Sequence, residues 1–371
     1  MSPVPPEWLE IEPLESAHAL AAPFYSDAEI FRLEQHAVFD RSWQLAADAS
    51  ALQEPGDHVV AEIASRSILL VRGADRTLRA FHNVCRHRAG PIALADGRGA
   101  KALHCKYHGW TYTLEGQLRS APEMQGACDF DVSTIHLPQV QVGQWQSLVF
   151  VALDPEVPPL DEVLAGIAQQ AGLAQPLAFQ RRVSYTLDCN WKVYVDNFLE
   201  GYHLPHVHPA LNKLLDYRSY TTTCARWHSL QHSPLEGADN FYGAGGAWYY
   251  FVYPNTMLNC LPGRLQTNRV LPLAVDRCRV DFDYWYPAGE PGAEEQQRRA
   301  QDQEFSDQVQ AEDAGICAAV QRGLASGTYV AGRLCPKREA GVKHFHDLLR
   351  AAYRSADPPI SSFLGLTGGS L

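Results

Sequence analysis

The chain has 371 residues and a formal net charge of −11, from 31 Lys and Arg against 42 Asp and Glu. That balance argues against a nucleic-acid binder, whose footprint is basic, and against docking on an anionic membrane surface. With 46% hydrophobic and 20% charged residues there is material for a large buried core, which excludes global disorder and predicts two or three domains.

No run approaches the ~18 apolar residues of a membrane-spanning helix. The N-terminal stretch is acidic and proline-rich rather than basic then apolar, and the last residues carry no lipidation signal. The expectation is a cytoplasmic protein. Nine cysteines, widely spread, do not form a disulfide framework.

In chain order, residues 1–20 read as an extended arm. Ser26-Asp27-Ala28-Glu29 has capping-box spacing, and an amphipathic run to about Trp43 predicts a helix. Between His58 and Asp154, β-rich runs at His58–Ile63, Ser67–Arg72, Leu78–Asn83 and Trp145–Leu153 alternate with Gly- and Asp-containing turns. This predicts a small all-β domain. The proline-rich hinge Asp154–Pro159 closes it. A helix over Leu160–Ala171, a strand over Arg182–Leu187 and a short helix over Trp191–Glu200 should follow. Aromatic β-runs at Ala247–Asn259 and Arg277–Tyr286 then precede a long helix over about Glu294–Leu324. The pattern is α+β, with an antiparallel sheet and a long helix. The expected division is 1–39 (arm and helix), 40–155 and 156–371.

Two constellations carry chemistry. The first is Cys85-x-His87 and, 17 residues on, Cys105-x-x-His108. Thiolates and imidazoles are ligands for zinc or for iron–sulfur. A Cys2His2 zinc site that staples the β domain meets the same spacing. Such zinc sites usually pair Cys with Cys and His with His. Here each pair is mixed, which suits a [2Fe–2S] centre with two Cys on one iron and two His on the other. His82 and His104 adjoin the motif but do not fit its spacing, and read as hydrogen-bonded structural residues.

The second lies in NWKVYVDNFLEGYHLPHVHP, residues 190–209, with His203, His206 and His208. A solvated histidine cluster is the plain reading. Flanking carboxylates and Trp191, Tyr194 and Tyr202 favour a functional pocket. Two His and one carboxylate on one face of Fe(II) leave the opposite face open for O2 and substrate. Residues five apart on an ideal helix do not share a face. Pro205 is therefore expected to break the helix and let His203 and His208 converge.

The segments CRHRAGP and CKYHGWTY resemble the Rieske domain of the Rieske non-haem iron oxygenases over roughly residues 40–155. The run N-W-K…D-N-x-x-E-x-Y-H…H-P resembles the mononuclear iron motif of the same family. The resemblance implies an α+β protein: an N-terminal all-β Rieske [2Fe–2S] domain, then a C-terminal helix-grip (START-like) domain, an antiparallel sheet with a long helix. It implies Cys85, His87, Cys105 and His108 as cluster ligands, and His203 and His208 as ligands of a mononuclear Fe(II). The third ligand would be an Asp on the long helix. Asp313 is the choice, with Glu312 and Asp307 as competitors. His206 is off-pattern and reads as a neighbour of the ligands or a structural residue. Glu200, three residues before His203 on the same helical face, would bridge His108 of one subunit to His203 of the next. Many aromatic-ring dioxygenases have Asp there. Asp196 is a second candidate on the electron path.

The two sites explain each other. O2 activation at one Fe(II) takes two electrons, and a Rieske cluster stores one nearby. No G-x-G-x-x-G follows a strand, so a separate NAD(P)H-dependent reductase must supply them. The resemblance implies a homotrimer in which each Rieske domain serves its neighbour's iron.

The substrate is less legible. In Ala247–Tyr253, alternation puts Trp248 and Tyr250 on one face and Tyr249, Phe251 and Tyr253 on the other. Packing on the long helix accounts for any one of them. Trp248, Tyr250 and Phe251 are the candidates for an aromatic cage around a quaternary ammonium group. The whole chain looks most like the choline, glycine betaine and carnitine monooxygenase branch. That implies hydroxylation beside a quaternary nitrogen, ending in N-demethylation or C–N cleavage. The alternative is hydroxylation or dihydroxylation of an aromatic or heteroaromatic acid. A different class is a non-catalytic Rieske carrier or zinc-stapled binding protein, which would have no use for the His203/His208 pair.

Overall fold

The computed structural model describes residues 3–171, 177–235 and 240–356, so the last part of the expected second domain lies outside them. The N-terminal strands are β1 (Gln44–Asp48), β2 (His58–Ile63), β3 (Arg66–Arg72), β4 (Leu78–His82), β5 (Leu103–His104), β6 (Thr111–Tyr112), β7 (Leu118–Ser120), β8 (Gln139–Trp145) and β9 (Leu148–Ala152). They form a six-stranded sheet in the order β1-β9-β8-β4-β3-β2 and a three-stranded sheet β5-β6-β7. β3 is buried on both faces, and its period of two divides its side chains between two cores. Ile68 and Leu70 join the main core, while Leu69 and Val71 pack under Cys85 and Cys105.

The second sheet is antiparallel: β10 (Leu177–Leu187), β11 (Thr221–Cys224), β12 (His228–Pro234), β13 (Gly246–Val252), β14 (Thr256–Leu261), β15 (Arg264–Ala274) and β16 (Arg277–Pro287). Its order is β10-β16-β15-β14-β13-β12-β11. The helices are α1 (Pro23–Ser26), α2 (Ala28–Glu34), α3 (Leu160–Val163), α4 (Ile167–Gln170), α5 (Trp191–Phe198), α6 (Leu204–Val207), α7 (Pro209–Asn212), α8 (Ala293–Ala325) and α9 (Ala340–Ser355). One face of the sheet carries Tyr250, Leu258, Cys260 and Trp285 against Trp43, Phe150 and Ile167. The other carries Phe251, Met257, Val270 and Phe282 in a core shared with Trp191, Cys317 and Phe345, from α5, α8 and α9. The architecture is the α+β arrangement the sequence implies. No helix among the described residues is long and apolar enough to cross a membrane.

Several expected elements differ. The arm contains 3-10 turns at Pro6–Leu9 and Leu14–Ser16. The cap of α2 is Asp27, not Ser26: its carboxylate accepts from the Glu29 and Ile30 N–H groups. The helical run stops in a π-turn at Gln35–Phe39, and Trp43 turns away to donate Nε1–H to the Pro158 carbonyl at 2.7 Å. Trp145–Leu153 is half of a hairpin, because the chain reverses at Gln146 with φ 54°. Gly166, with φ 83°, divides the expected Leu160–Ala171 helix into α3 and α4. Ala247–Asn259 is two strands, β13 and β14, joined by a turn. Helix α9 is not among the sequence expectations, although Val342, Phe345, Leu349 and Tyr353 carry the helical period and are buried.

Candidate active site and metal centres

Cys85 follows β4, and Cys105 follows β5. Each opens a tight loop: Cys85 N–H donates to the Gly90 carbonyl at 2.8 Å, and Cys105 N–H to that of Trp110 at 2.9 Å. The loops nest so closely that a Cβ on Gly90 would sit 3.0 Å from Tyr107 Cβ and 3.1 Å from Cys105 Sγ, so a larger residue would push the second loop away. Both thiols are buried. Burial raises the pKa of Cys85, and Tyr112 Oη lies 3.2 Å from its Sγ. His87 and His108 stand at the outer rim, their Nδ1 atoms 3.1 Å apart, and Trp110 stacks on His87 at 4.8 Å. Two deep thiols beneath two convergent imidazoles are a donor set that fits a cluster with sulfur ligands on one iron and nitrogen ligands on the other. His104 is outside the set; its Nδ1 bonds Thr111 Oγ1 at 2.9 Å.

In the second domain, His203, His208 and Asp313 present one atom each within 4.8 Å of one another. Pro205 does not break a helix between the histidines. It lies in the first turn of α6, where its missing N–H is harmless, and His203 and His208 are the two caps of that helix. Four residues of helix between the caps turn both rings to one side. Each ring is held from behind by a carboxylate. His203 Nδ1–H donates to Glu200 Oε1 and His208 Nδ1–H to Glu312 Oε2, both at 2.6 Å. This leaves Nε2 of both rings toward Asp313, at 3.9 Å for His203 and 2.9 Å for His208. Asn197 Nδ2–H donates to the same Asp313 Oδ1 at 2.6 Å and steers the carboxylate.

Burial would pull the pKa of His208 down, but Asp313 and Glu312 outweigh it and the net shift is upward. A cluster that raises a proton's affinity in this way is one that also suits a metal cation. Fixed tautomers, carboxylates behind both imidazoles and one facing carboxylate are the ligand arrangement a two-His, one-carboxylate iron requires.

Of the competitors for the third position, Glu312 is on the far nitrogen of His208. Asp307 is exposed and turned toward Tyr185 and Arg181 of β10. His206 is exposed and outside the group. Glu200 does not share a helical face with His203: α5 ends at Phe198, and Glu200 meets the ring across a turn while accepting from the N–H groups of Tyr202 and His203. Asp196 does not touch His203. It accepts from Tyr25 Oη at 2.6 Å and lies 2.9 Å from His346 Nε2. Asp196, Glu200 and His203 do share a second cavity, with Glu339 and His346. Burial first, then the charges of Glu200 and Asp196, raise the pKa of Glu339.

The metal triad opens into a cavity between the sheet and α8. The expected cage residues are not on it. Trp248 and Tyr250 point to the opposite face of the sheet, where Tyr250 Oη donates to Gln170 Oε1 at 3.0 Å. Phe251 is on the inner face but is covered by Phe345 of α9, ring to ring at 5.3 Å. Tyr249 lines the cavity instead, with Phe198, Tyr220, Tyr242, Phe282 and Phe305. Asn259, Arg264, Gln266 and Asn268 add a polar wall. That wall has a sequence signal, since Arg264, Gln266 and Asn268 alternate along β15, which is otherwise a buried strand.

Comparison with known proteins adds the following. Residues 42–141 match the Rieske [2Fe-2S] domain family, and residues 175–355 the ring hydroxylating alpha subunit (catalytic domain) family. The chain is 36% identical over 355 residues to the chloroplastic choline monooxygenase of Arabidopsis thaliana, covering 91% of this chain and 83% of that protein. It is 31% identical over 358 residues to the carnitine monooxygenase oxygenase subunit of Escherichia coli (strain K12), covering 92% and 95%. The structure of the quaternary ammonium Rieske monooxygenase CntA in complex with substrate L-carnitine superposes with a TM-score of 0.82 at 25% identity, covering 95% of this chain and 100% of that one. Naphthalene 1,2-dioxygenase from Rhodococcus sp., at 18% identity and TM-score 0.75 over 92% and 95%, shares the fold.

Proposed function

Because the chain belongs to the Rieske non-haem iron oxygenases, we propose that it is the oxygenase component of a monooxygenase acting on a quaternary ammonium compound. The family carries a Rieske [2Fe–2S] cluster and a mononuclear non-haem iron. We assign the cluster to Cys85, His87, Cys105 and His108, and the iron to His203, His208 and Asp313. The domains run 1–39, 40–155 and 156–371.

The observation that carries the substrate class is the cavity. Tyrosine and phenylalanine rings surround the space in front of a carboxylate-backed metal site. A permanent cation is attracted to such faces without needing a hydrogen bond. The relatives named for choline and carnitine support the same class.

When bound, the cluster supplies electrons singly and the iron activates O2. The chain's own residues do the rest. Glu200 and Glu312 hold the imidazole tautomers, Asn197 fixes Asp313, and the aromatic wall places a methyl or methylene beside the positive nitrogen while excluding water. Substrate, O2, NAD(P)H and a proton yield the hydroxylated ammonium, water and NAD(P)+. Its C–N bond then breaks to a tertiary amine, an aldehyde and a proton. A separate reductase delivers the electrons in the cytoplasm. The working form is a homotrimer, in which Glu200 joins His203 to the neighbour's cluster.

The test is a single turnover. Protein reduced anaerobically receives one candidate substrate, then O2, while cluster absorbance and products are followed. Reoxidation driven by a trimethylammonium compound, with demethylated or cleaved amine as product, is expected. A hydroxylated aromatic acid and no amine product would replace the substrate class.

A further inference from the structure

Arg264 has no part in the chemistry above, yet it is the one Arg or Lys among the described residues lining the cavity. It opens β15 directly after the Pro262-Gly263 turn. Its side chain is 5% exposed and ion-paired to Asp302 of α8, itself 4% exposed. Arg264 also donates through NH1 to Tyr242 Oη at 3.3 Å and through NH2 to Gln266 Oε1. Its Nε–H is buried and has no partner among the described residues. An unmet N–H on a buried cation is costly and uncommon. Asp302 explains how the charge is tolerated, not what the remaining donor serves. A guanidinium has five N–H groups in a planar fork and can serve two carboxylates at once.

The position matters as well. Asp302 and Asp313 are both on α8 and lie about three turns apart, roughly 16 Å of helix axis. Arg264 is therefore pinned toward the end of the cavity away from the metal triad, and its long side chain spans part of that separation. One cavity thus offers aromatic faces for a cation and, about three helical turns from Asp313, a guanidinium for an anion.

We infer that Arg264 holds a substrate carboxylate, so that the preferred substrate is a zwitterion: a quaternary ammonium at the triad and a carboxylate at Arg264. This rests on the quaternary-ammonium reading above. It separates betaine-type substrates from amino alcohols such as choline, which share the cationic head and lack the anionic tail.

The experiment is equilibrium binding by calorimetry to the holoprotein under anaerobic conditions, with length-matched pairs. Glycine betaine is compared with choline, and γ-butyrobetaine with (4-hydroxybutyl)trimethylammonium. Tetramethylammonium is included as the head alone and benzoate as an anion without the head. In at least one pair the carboxylate should bind about tenfold or more tightly than its alcohol, the ratio expected of a charged hydrogen bond. Arg264→Gln leaves Asp302 buried without its charge partner, with Tyr286 Oη as its remaining donor, so the Arg264→Gln/Asp302→Asn double variant is measured beside it. The double variant should bring the pair to within about threefold while tetramethylammonium binding stays as in the wild type. Alcohols that bind as well as their carboxylates, or a preference that survives in the double variant, would overturn the role of Arg264 and leave the cation site standing. Benzoate binding without any of the cations would overturn both readings.

Discussion

Each paired histidine has a carboxylate on Nδ1, and that contact decides which nitrogen is free to meet a metal. Glu200 is the more consequential of the two, because it lines both the cavity of the metal triad and the second cavity. Glu200→Ala should retain both metals, as measured by iron analysis, and lower coupled turnover roughly 10- to 100-fold. Unchanged turnover would remove the bridging role. At this scale the sequence was most legible where spacing is local: Cys85, His87, Cys105, His108, His203 and His208 all sit within short motifs. It was least legible where two faces compete. Glu312 and Asp313 are adjacent on α8, and spacing alone does not say which carboxylate meets Nε2 and which meets Nδ1. Of the cage candidates, Trp248 and Tyr250 are on the wrong face, because alternation separates the two faces of a strand without revealing which one a cavity occupies, and Phe251 shares the face of Tyr249 but is covered by Phe345.

Helix α8 shows why an element can be found correctly and still mislead about its packing. Its ends agree closely with the expected Glu294–Leu324, but its inward residues are largely polar. Tyr286 donates to Asp302 at 2.5 Å, Tyr284 to Ser306 at 2.9 Å and Tyr194 to Gln310 at 2.7 Å. A hydrophobic stripe is absent because this face meets tyrosine hydroxyls and a cavity. The N-terminal helix is tied to α5 by a buried pair, Lys192 Nζ to Glu34 Oε1 at 2.7 Å, both side chains fully buried. Trp191 and Tyr353 also donate to Glu34. Lys192→Met would strand that carboxylate and should cost about 3–5 kcal/mol, read as a lower urea midpoint. A midpoint equal to the wild type would show that the network relaxes without it.

In the sheet, Asp281 of β16 binds Ser184 of β10 at 2.7 Å and Arg269 of β15 at 2.9 Å. Burial would raise its pKa, but Arg269, Ser184 and Arg279 outweigh burial and lower it. The stability this gives is complete above the unfolded carboxylate pKa, near 4, and is lost as pH falls through the depressed native value. Asp281→Asn should therefore be less stable at neutral pH, and its stability should fall less steeply below about pH 4. Parallel acid-unfolding curves for the two proteins would assign the acid sensitivity elsewhere.

Across the molecule, the two domains are joined by specific contacts as well as a shared core. Arg269 NH1 donates to the Leu45 carbonyl at 3.0 Å, and Trp285 Nε1 to Asp48 at 2.6 Å. The two-domain α+β plan could be read from the sequence because its strands and its long helix carry strong periodic patterns. The contacts between them could not, since they join residues more than two hundred positions apart through single hydrogen bonds. His87 and His108 stand at the rim of the first domain, whereas Glu200 lies in a cavity of the second. In a trimer that passes electrons between subunits, Cys85→Ser and His208→Ala should each be inactive, and co-assembly of the two should restore part of the turnover. Mixed assemblies that stay inactive would place the electron path within one chain.

On the proposed assignment, one chain carries two separate iron centres, on Cys85, His87, Cys105 and His108 and on His203, His208 and Asp313. The direct measurement is a count of iron, zinc and acid-labile sulfide per chain, in the wild type and in Asp313→Ala. About three irons and two sulfides are expected in the wild type, and loss of a single iron in the variant with the sulfide and the cluster spectrum intact. Zinc without sulfide would contradict the cluster, and full iron retention in Asp313→Ala would contradict the mononuclear site.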